Sequence, residues 1–172
     1  MLRQNYNFPD FDKETDSFLT CTKEEFLSSF PNYSWLFGFN VPLKHFSLNN
    51  KEATIYFCIE VEDFIYFGLC LFYDGSFSYC DSKANHELLK DLNPLLDTLF
   101  KEGFNNYFNW LGWKYFNLKN TDDKYGPNLK LLDAKSLATL QDNAKRQALI
   151  AAMIDNINSH LCNLAPVILE LK

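Results

Sequence analysis

The sequence predicts an α+β fold, and three observations carry that expectation. All 29 Phe, Tyr and Trp residues lie at or before Tyr125, and the last 47 residues contain none. Residues 53–80 are rich in β-branched and aromatic side chains and include the hairpin signal Asp74-Gly75. The ring-free tail is rich in Leu, Ile and Ala at helical spacing. Together they predict an antiparallel β-meander over about residues 53–80, flanking helices, and a long C-terminal helix packed on the sheet. At 172 residues the chain has the length of one globular domain, residues 1–172, burying roughly 70% of its unfolded surface.

Residues 1–19 mix Asp, Asn and Pro with Tyr6, Phe8, Phe11 and Phe18, which predicts an irregular N-terminal arm pinned by its rings. Thr22 followed by Glu25 fits a capping box. Phe26, Leu27 and Phe30 give the short helix behind it an apolar face, ending near Pro31. Asn32 to Asn50, with Trp35, Pro42 and His45, reads as a loop-like stretch.

The meander can be taken to individual faces. Thr54 to Val61 and Phe64 to Tyr73 form two strands separated by Glu62-Asp63, and Ser76 to Cys80 follows Asp74-Gly75. If both turns are two-residue loops, Val61 pairs with Phe64 and Tyr73 with Ser76. One face then carries Ile55, Phe57, Ile59, Val61, Phe64, Tyr66, Cys70, Phe72, Phe77 and Tyr79, and is the expected core face. The other carries Thr54, Tyr56, Cys58 and Glu60 on one flank, Ser76, Ser78 and Cys80 on the other, and Ile65, Phe67, Leu69, Leu71 and Tyr73 along the middle. A central strand apolar on both sides needs a cover, and the C-terminal helix is the expected one.

Ser82 or Asn85 could cap a helix running through Leu88, Leu92, Leu95 and Leu99, kinked or split at Pro94 and ended by Gly103. Phe104 to Phe116 packs seven rings into thirteen residues. Gly112 interrupts it, which predicts helix first and a strand near Trp113 to Leu118. Asn120 to Asn128 reads as a polar surface loop. A last long helix is expected from Asp133 or Ser136, with Leu137, Leu140, Ala144, Ala148, Ala151 and Ile154 on one stripe. From Ala148 to Ile154 it is apolar nearly all round, which predicts burial on more than one side. Val167 to Leu171, after Pro166, is expected to add an edge strand.

Charge narrows the function classes. The net charge is −6 and is uneven: residues 1–125 sum to −7 and residues 126–172 to +1. The ring-rich part is the acidic part, and it would repel nucleic acid or an anionic membrane while attracting a basic partner. The N-terminus carries no apolar run of signal-peptide length, and Phe64 to Tyr73 is too short to span a bilayer, so a cytoplasmic protein is expected. Cys21, Cys58, Cys70, Cys80 and Cys162 form an odd set with no Cys-x-x-Cys pair, and they read as small buried hydrophobes in a reducing compartment.

No motif for catalysis, metal or phosphate binding stands out. His86 lies six residues after Cys80, a separation that would serve a nucleophile and base only if the turn at Ser82 closed on itself; the plainer reading is an exposed first-turn residue. His160 and Cys162, two apart, point to different faces of a helix and would not share a metal. Val167-Ile168-Leu169-Glu170-Leu171-Lys172 resembles the second half of the PD-(D/E)xK nuclease motif, but the chain offers no acidic partner strand before it. A solvated terminal strand is the plainer expectation. Six scattered glycines form no phosphate loop, and the rings at 104–116 have no basic neighbour before Lys114, which argues against RNA. The sequence predicts no catalytic residue, no metal and no cofactor.

In size, acidity and ring content, and in lacking a catalytic set, the chain resembles the immunity proteins of bacterial toxin systems, such as those of contact-dependent inhibition. The resemblance implies a non-catalytic binding protein that neutralises a basic protein partner, such as a nuclease toxin, by occupying it. The acidic residues beside turns and in loops, Glu60, Glu62, Asp63, Asp122 and Asp123, are the candidate partner-binding set. Two other classes remain open: a subunit or adaptor of a larger assembly, with a homodimer through the second sheet face, and an enzyme whose site is scattered along the chain.

Overall fold

The structure is a computed structural model that describes residues 18–19, 37–61, 64–77, 87–107, 110–118, 125–128 and 133–172. The fold is α+β, with an antiparallel meander and a long C-terminal helix. In chain order the strands are β1 (Phe18–Leu19), β2 (Phe37–Leu48), β3 (Lys51–Val61), β4 (Ile65–Tyr73), β5 (Ser76–Phe77), β6 (Asn105–Tyr107) and β7 (Trp110–Tyr115). A 3₁₀ turn at Leu88–Leu92 leads into α1 (Asn93–Lys101), and α2 (Ala134–Gln141) and α3 (Asn143–Leu169) close the chain. The sheet order is β1-β2-β3-β4-β7-β6, with β5 also pairing with β4. All of these pairings are antiparallel.

The second hairpin of the meander forms as expected: Asp74 and Gly75 both take positive φ, 51° and 82°, and Tyr73 pairs with Ser76. The first does not. Val61 pairs with Ile65 rather than Phe64, so the connection is one residue longer than a two-residue loop. Because side chains alternate with period 2, that one-residue shift moves the whole of β4 to the opposite face relative to β3. Ile55 now stands opposite Leu71, Phe57 opposite Leu69 and Ile59 opposite Phe67, and these six share the core face. Tyr66, Cys70 and Phe72 join Tyr56, Cys58 and Glu60 on the other. The corrected register gathers Ile55, Phe57, Ile59, Phe67, Leu69 and Leu71 into one apolar layer, whose burial favours it.

The stretch read as a loop before Asn50 is in fact the twelve-residue β2, the longest strand among the described residues. It joins β3 through Asn49-Asn50, both at positive φ (51° and 62°), a pair of residue types that tolerates the left-handed conformation. Pro42 sits where the register shifts, between Pro42 and Lys44, a bulge that accommodates a residue without an N–H. The end of the N-terminal arm is also ordered into the sheet, Phe18 pairing with Asn40 and Leu19 with Phe39. The helix expected over Thr22 to Pro31 lies outside the described residues.

Pro94 does split the helical segment, ending the 3₁₀ turn and entering the first turn of α1, where its missing N–H costs nothing. Gly103 ends that segment at φ 77°. The helix expected over the first part of 104–116 is instead the β6–β7 hairpin. Gly112 is no breaker there: a Cβ on it would lie 3.0 Å from Leu99 Cδ2 and 3.0 Å from Phe104 Cβ, so it lets α1 approach the sheet.

The last helix is two helices. Asp133 caps α2, its carboxylate accepting from the Ser136 N–H at 2.7 Å, and Asp142 caps α3, accepting from the Lys145 N–H at 3.0 Å. The buried stripe of α3 is Leu149, Ile157, Leu161, Leu164, Ala165 and Ile168 rather than the one expected, since Leu137, Ala144, Ala148 and Ala151 are exposed. Val167 to Leu169 is helix and not an edge strand; α3 runs through Pro166. Leu164, Ala165 and Ile168 on either side of it are buried in the core, a stabilisation that opposes the ~3 kcal/mol an internal proline costs a helix.

One core results. Val41, Leu43, Ile55, Phe57, Phe67, Leu69, Leu71 and Leu111 from the sheet meet Leu92, Leu95 and Leu99 from the first helical segment and the α3 stripe. Both helical segments lie on the same face. The opposite face carries a smaller cluster of Cys58, Tyr66, Cys70 and Trp110, with Tyr56 and Trp113 packed against it. β4 therefore lies between two apolar layers, as its two-sided hydrophobicity demands. No helix among the described residues is long and apolar enough to cross a membrane.

Candidate functional site

Two constellations stand out. The first is a continuous wall of rings on the face opposite α3. Strand pairing sets it: Tyr66 is opposite Tyr115, and Gly68 is opposite Trp113, so Tyr66, Trp113 and Tyr115 share that face. Tyr66 contacts Trp110 at 5.5 Å between centroids, Trp113 at 5.6 Å and Tyr115 at 6.0 Å. Trp113 meets Tyr115 edge-on at 5.3 Å. Phe64 and Tyr125 complete the wall: Phe64 lies 6.1 Å from Tyr115 and 5.9 Å from Tyr125, and Tyr115 lies 5.6 Å from Tyr125.

The wall runs from the interior to solvent. Trp110 and Tyr66 are buried, Phe64 is half-buried, and Tyr115 and Tyr125 are 37% and 41% exposed. The open end has a position in the chain that matters. Phe64 directly follows Glu62-Asp63, and Tyr125 comes two residues after Asp123. Two acidic pairs about sixty residues apart thus adjoin rings that the fold brings into contact.

Of the acidic set, Glu60 is buried, 7% exposed, and accepts a hydrogen bond from the Tyr66 hydroxyl at 3.0 Å. It is therefore not a surface charge. It sits on the ring face because β3 alternates, and its carboxylate is matched by a phenol on the neighbouring strand. Glu62, Asp63, Asp122 and Asp123 lie outside the described residues, as do Cys80 and His86. Cys58 and Cys70 are buried as expected, whereas Cys162 is exposed on α3.

The second constellation is polar and joins three elements on the core side. Glu102, which ends α1, holds His160 of α3 through Oε2 and Nδ1 at 2.8 Å, and Asn163 Nδ2 donates to its other oxygen at 2.8 Å. Lys114 of β7 donates to the backbone carbonyl of Glu102 at 2.7 Å and lies 3.2 Å from His160 Nε2. Its ammonium also sits 4.9 Å from the centre of the Phe104 ring. The bond to His160 holds the Glu102 carboxyl below its ordinary value, and burial depresses the Lys114 amine.

A carboxylate, an imidazole and an amine in line have the form of an activated nucleophile. The surroundings instead make it a lock. Three partners hold the amine, and the gap beside His160, lined by Phe57, Phe67, Leu69, Phe104, Leu161 and Leu164 among others, has no room for a water molecule. What the cluster does is fix the end of α1, β7 and α3 to one another. In the sequence the near neighbour of His160 is Cys162, whereas the partners it meets in the fold are 46 and 58 residues away.

An open cleft of about 370 Å³ lies between the end of β2, the 3₁₀ turn and the end of α3. Asp91, Glu170 and Lys172 contribute charge to its lining, which contains no histidine or cysteine. Among the described residues no group of three or more His, Cys, Asp or Glu side chains is arranged to hold a metal ion. No family model, no curated protein and no solved structure matches the chain.

Proposed function

We propose that this chain is a non-catalytic binding protein that neutralises a basic protein partner by occupying it, in the manner of the toxin-immunity proteins it resembles in overall character. The observation that supports this most is the contact of Phe64 with Tyr125 at 5.9 Å. It joins the two places in the chain where Glu62-Asp63 and Asp122-Asp123 stand, next to partly exposed tyrosines. Acidic residues around tyrosines suit a protein interface: the charge steers the encounter, and the rings supply contact area at low entropic cost. A net charge of −6 favours the same class of partner at long range.

The test is co-expression with the product of a neighbouring toxin-like reading frame. The reading expects a basic product whose toxicity is relieved by this chain, and a complex that survives size-exclusion chromatography at moderate salt. A complex that forms only with acidic or neutral proteins, or relief of toxicity without any complex, would contradict it.

A further inference from the structure

We propose that His160 is a proton-operated latch: neutral, with its one proton on Nδ1, it joins β7 to α3 through Lys114, and a second proton on Nε2 undoes that join while α1 stays tied to α3. The latch is a property of the free chain and goes beyond the binding-protein reading above.

The hydrogen bonds fix the tautomer. Nδ1 lies 2.8 Å from Glu102 Oε2, and an ionised carboxylate can only accept, so Nδ1 carries a proton. Nε2 lies 3.2 Å from Lys114 Nζ, and an ammonium can only donate, so Nε2 offers a bare lone pair. The reverse arrangement, an imidazolium donating to a neutral amine, is the less stable one, because an alkylamine holds its proton about four orders of magnitude more tightly than an imidazole. Burial opposes the charge on Lys114, but the Glu102 carbonyl at 2.7 Å and the Phe104 ring at 4.9 Å both favour it.

Among the described residues two charged groups face the imidazole, Glu102 from the end of α1 and Lys114 from β7. β4 presents Phe67 at 6.1 Å between ring centres, and the residue before β6 presents Phe104 at 5.4 Å; neither ring titrates. On α3 itself Asn163 holds the other oxygen of Glu102. The His160 and Glu102 side chains are 15% and 22% exposed, so a proton reaches them without unfolding. An imidazolium donates from both nitrogens. A second proton therefore leaves the bond to Glu102 in place, since Nδ1 still donates, and sets an N–H against the Lys114 ammonium, where no hydrogen bond can form. Lys114 stands between Trp113 and Tyr115, whose rings lie on the opposite face, so the strand released from α3 is one that carries the ring wall.

The experiment is a nitrogen-15 NMR titration of the whole chain from about pH 8 to about pH 5, the range in which imidazoles take up their second proton. At the upper end Nδ1 of His160 should be protonated and Nε2 bare. On acidification, proton uptake at Nε2 should be accompanied by shifts of the Lys114 ammonium and of the β7 amides, while the Asn163 side-chain amide keeps its resonance. His160→Gln offers the same donor and acceptor but takes no proton, so β7 should lose its response to pH. Lys114→Met should lose that response as well, with His160 still titrating, and it carries the test alone if His160→Gln does not fold. A proton on Nε2 at the upper end of the range would overturn the latch, as would a β7 response that survives either substitution.

Discussion

Gly68 has no room for a side chain: a Cβ there would lie 2.0 Å from the Gly112 carbonyl oxygen and 2.8 Å from Trp113 Cα. These are backbone atoms of the neighbouring strand, and they can yield only if β4 and β7 part. Gly68→Ala should therefore cost at least the upper end of the ~1–3 kcal/mol typical of overpacking, read as a lowered denaturation midpoint. Glu102 gives a second test at this scale. His160, and then Asn163, hold its carboxyl below the ordinary value in the fold, so the stability it contributes is complete above the unfolded value and is lost as pH falls through the lowered folded one. Glu102→Gln should accordingly flatten the acid side of the stability–pH curve, whereas an unchanged slope would detach the cluster from stability. Neither feature was legible in the sequence. The partners of Gly68 and His160 are 44 or more residues away and are chosen by strand pairing and helix docking. Glu60 reads as a surface charge in the sequence for the same reason, since the phenol that hydrogen-bonds to its buried carboxylate is presented by the next strand.

Elements were legible where local chemistry decided them. Asp74-Gly75 specified its hairpin, Pro94 and Gly103 bounded α1, and the ring-free tail announced a helix that covers the sheet. The failures came where a local signal was ambiguous. Glu62-Asp63 looks like a two-residue loop, and one additional residue reverses which side of β4 faces the core. In β2, apolar residues do alternate, but a bulge after Pro42 breaks their phase, and Asn49-Asn50 is a weaker turn signal than Asp-Gly. The corrected stripe of α3 changes what a mutation should do. Leu164→Ala, at a site 1% exposed, should cost ~2–5 kcal/mol, while Ile150→Ala, at a site 42% exposed, should stay within ~0.5 kcal/mol. Comparable losses from the two would mean that α3 also packs through the face that carries Ile150. Asp142→Ala should open the first turn of α3, seen as faster amide exchange at Lys145, whose N–H its carboxylate accepts.

The whole molecule divides its labour between the faces of one sheet. α1 and α3 cover one face and bury its branched and aromatic residues, and the polar lock at Glu102, Lys114 and His160 fixes their arrangement. The other face carries the ring wall, whose exposed end includes Tyr115 and Tyr125, and Phe64 and Tyr125 in it follow Glu62-Asp63 and Asp122-Asp123 closely in the sequence. Steering by that acid is a statement about rates. Reversing Asp122 and Asp123 to lysine should slow capture of a basic partner and reduce the salt dependence of the association rate. The most direct measurement is stopped-flow association of the wild-type and doubly reversed chains with the basic product of a neighbouring toxin-like reading frame, across a series of salt concentrations. Capture by a basic partner predicts a wild-type rate that falls steeply with salt and a variant rate that is lower and nearly flat. Identical rates and identical salt slopes for the two chains would contradict it.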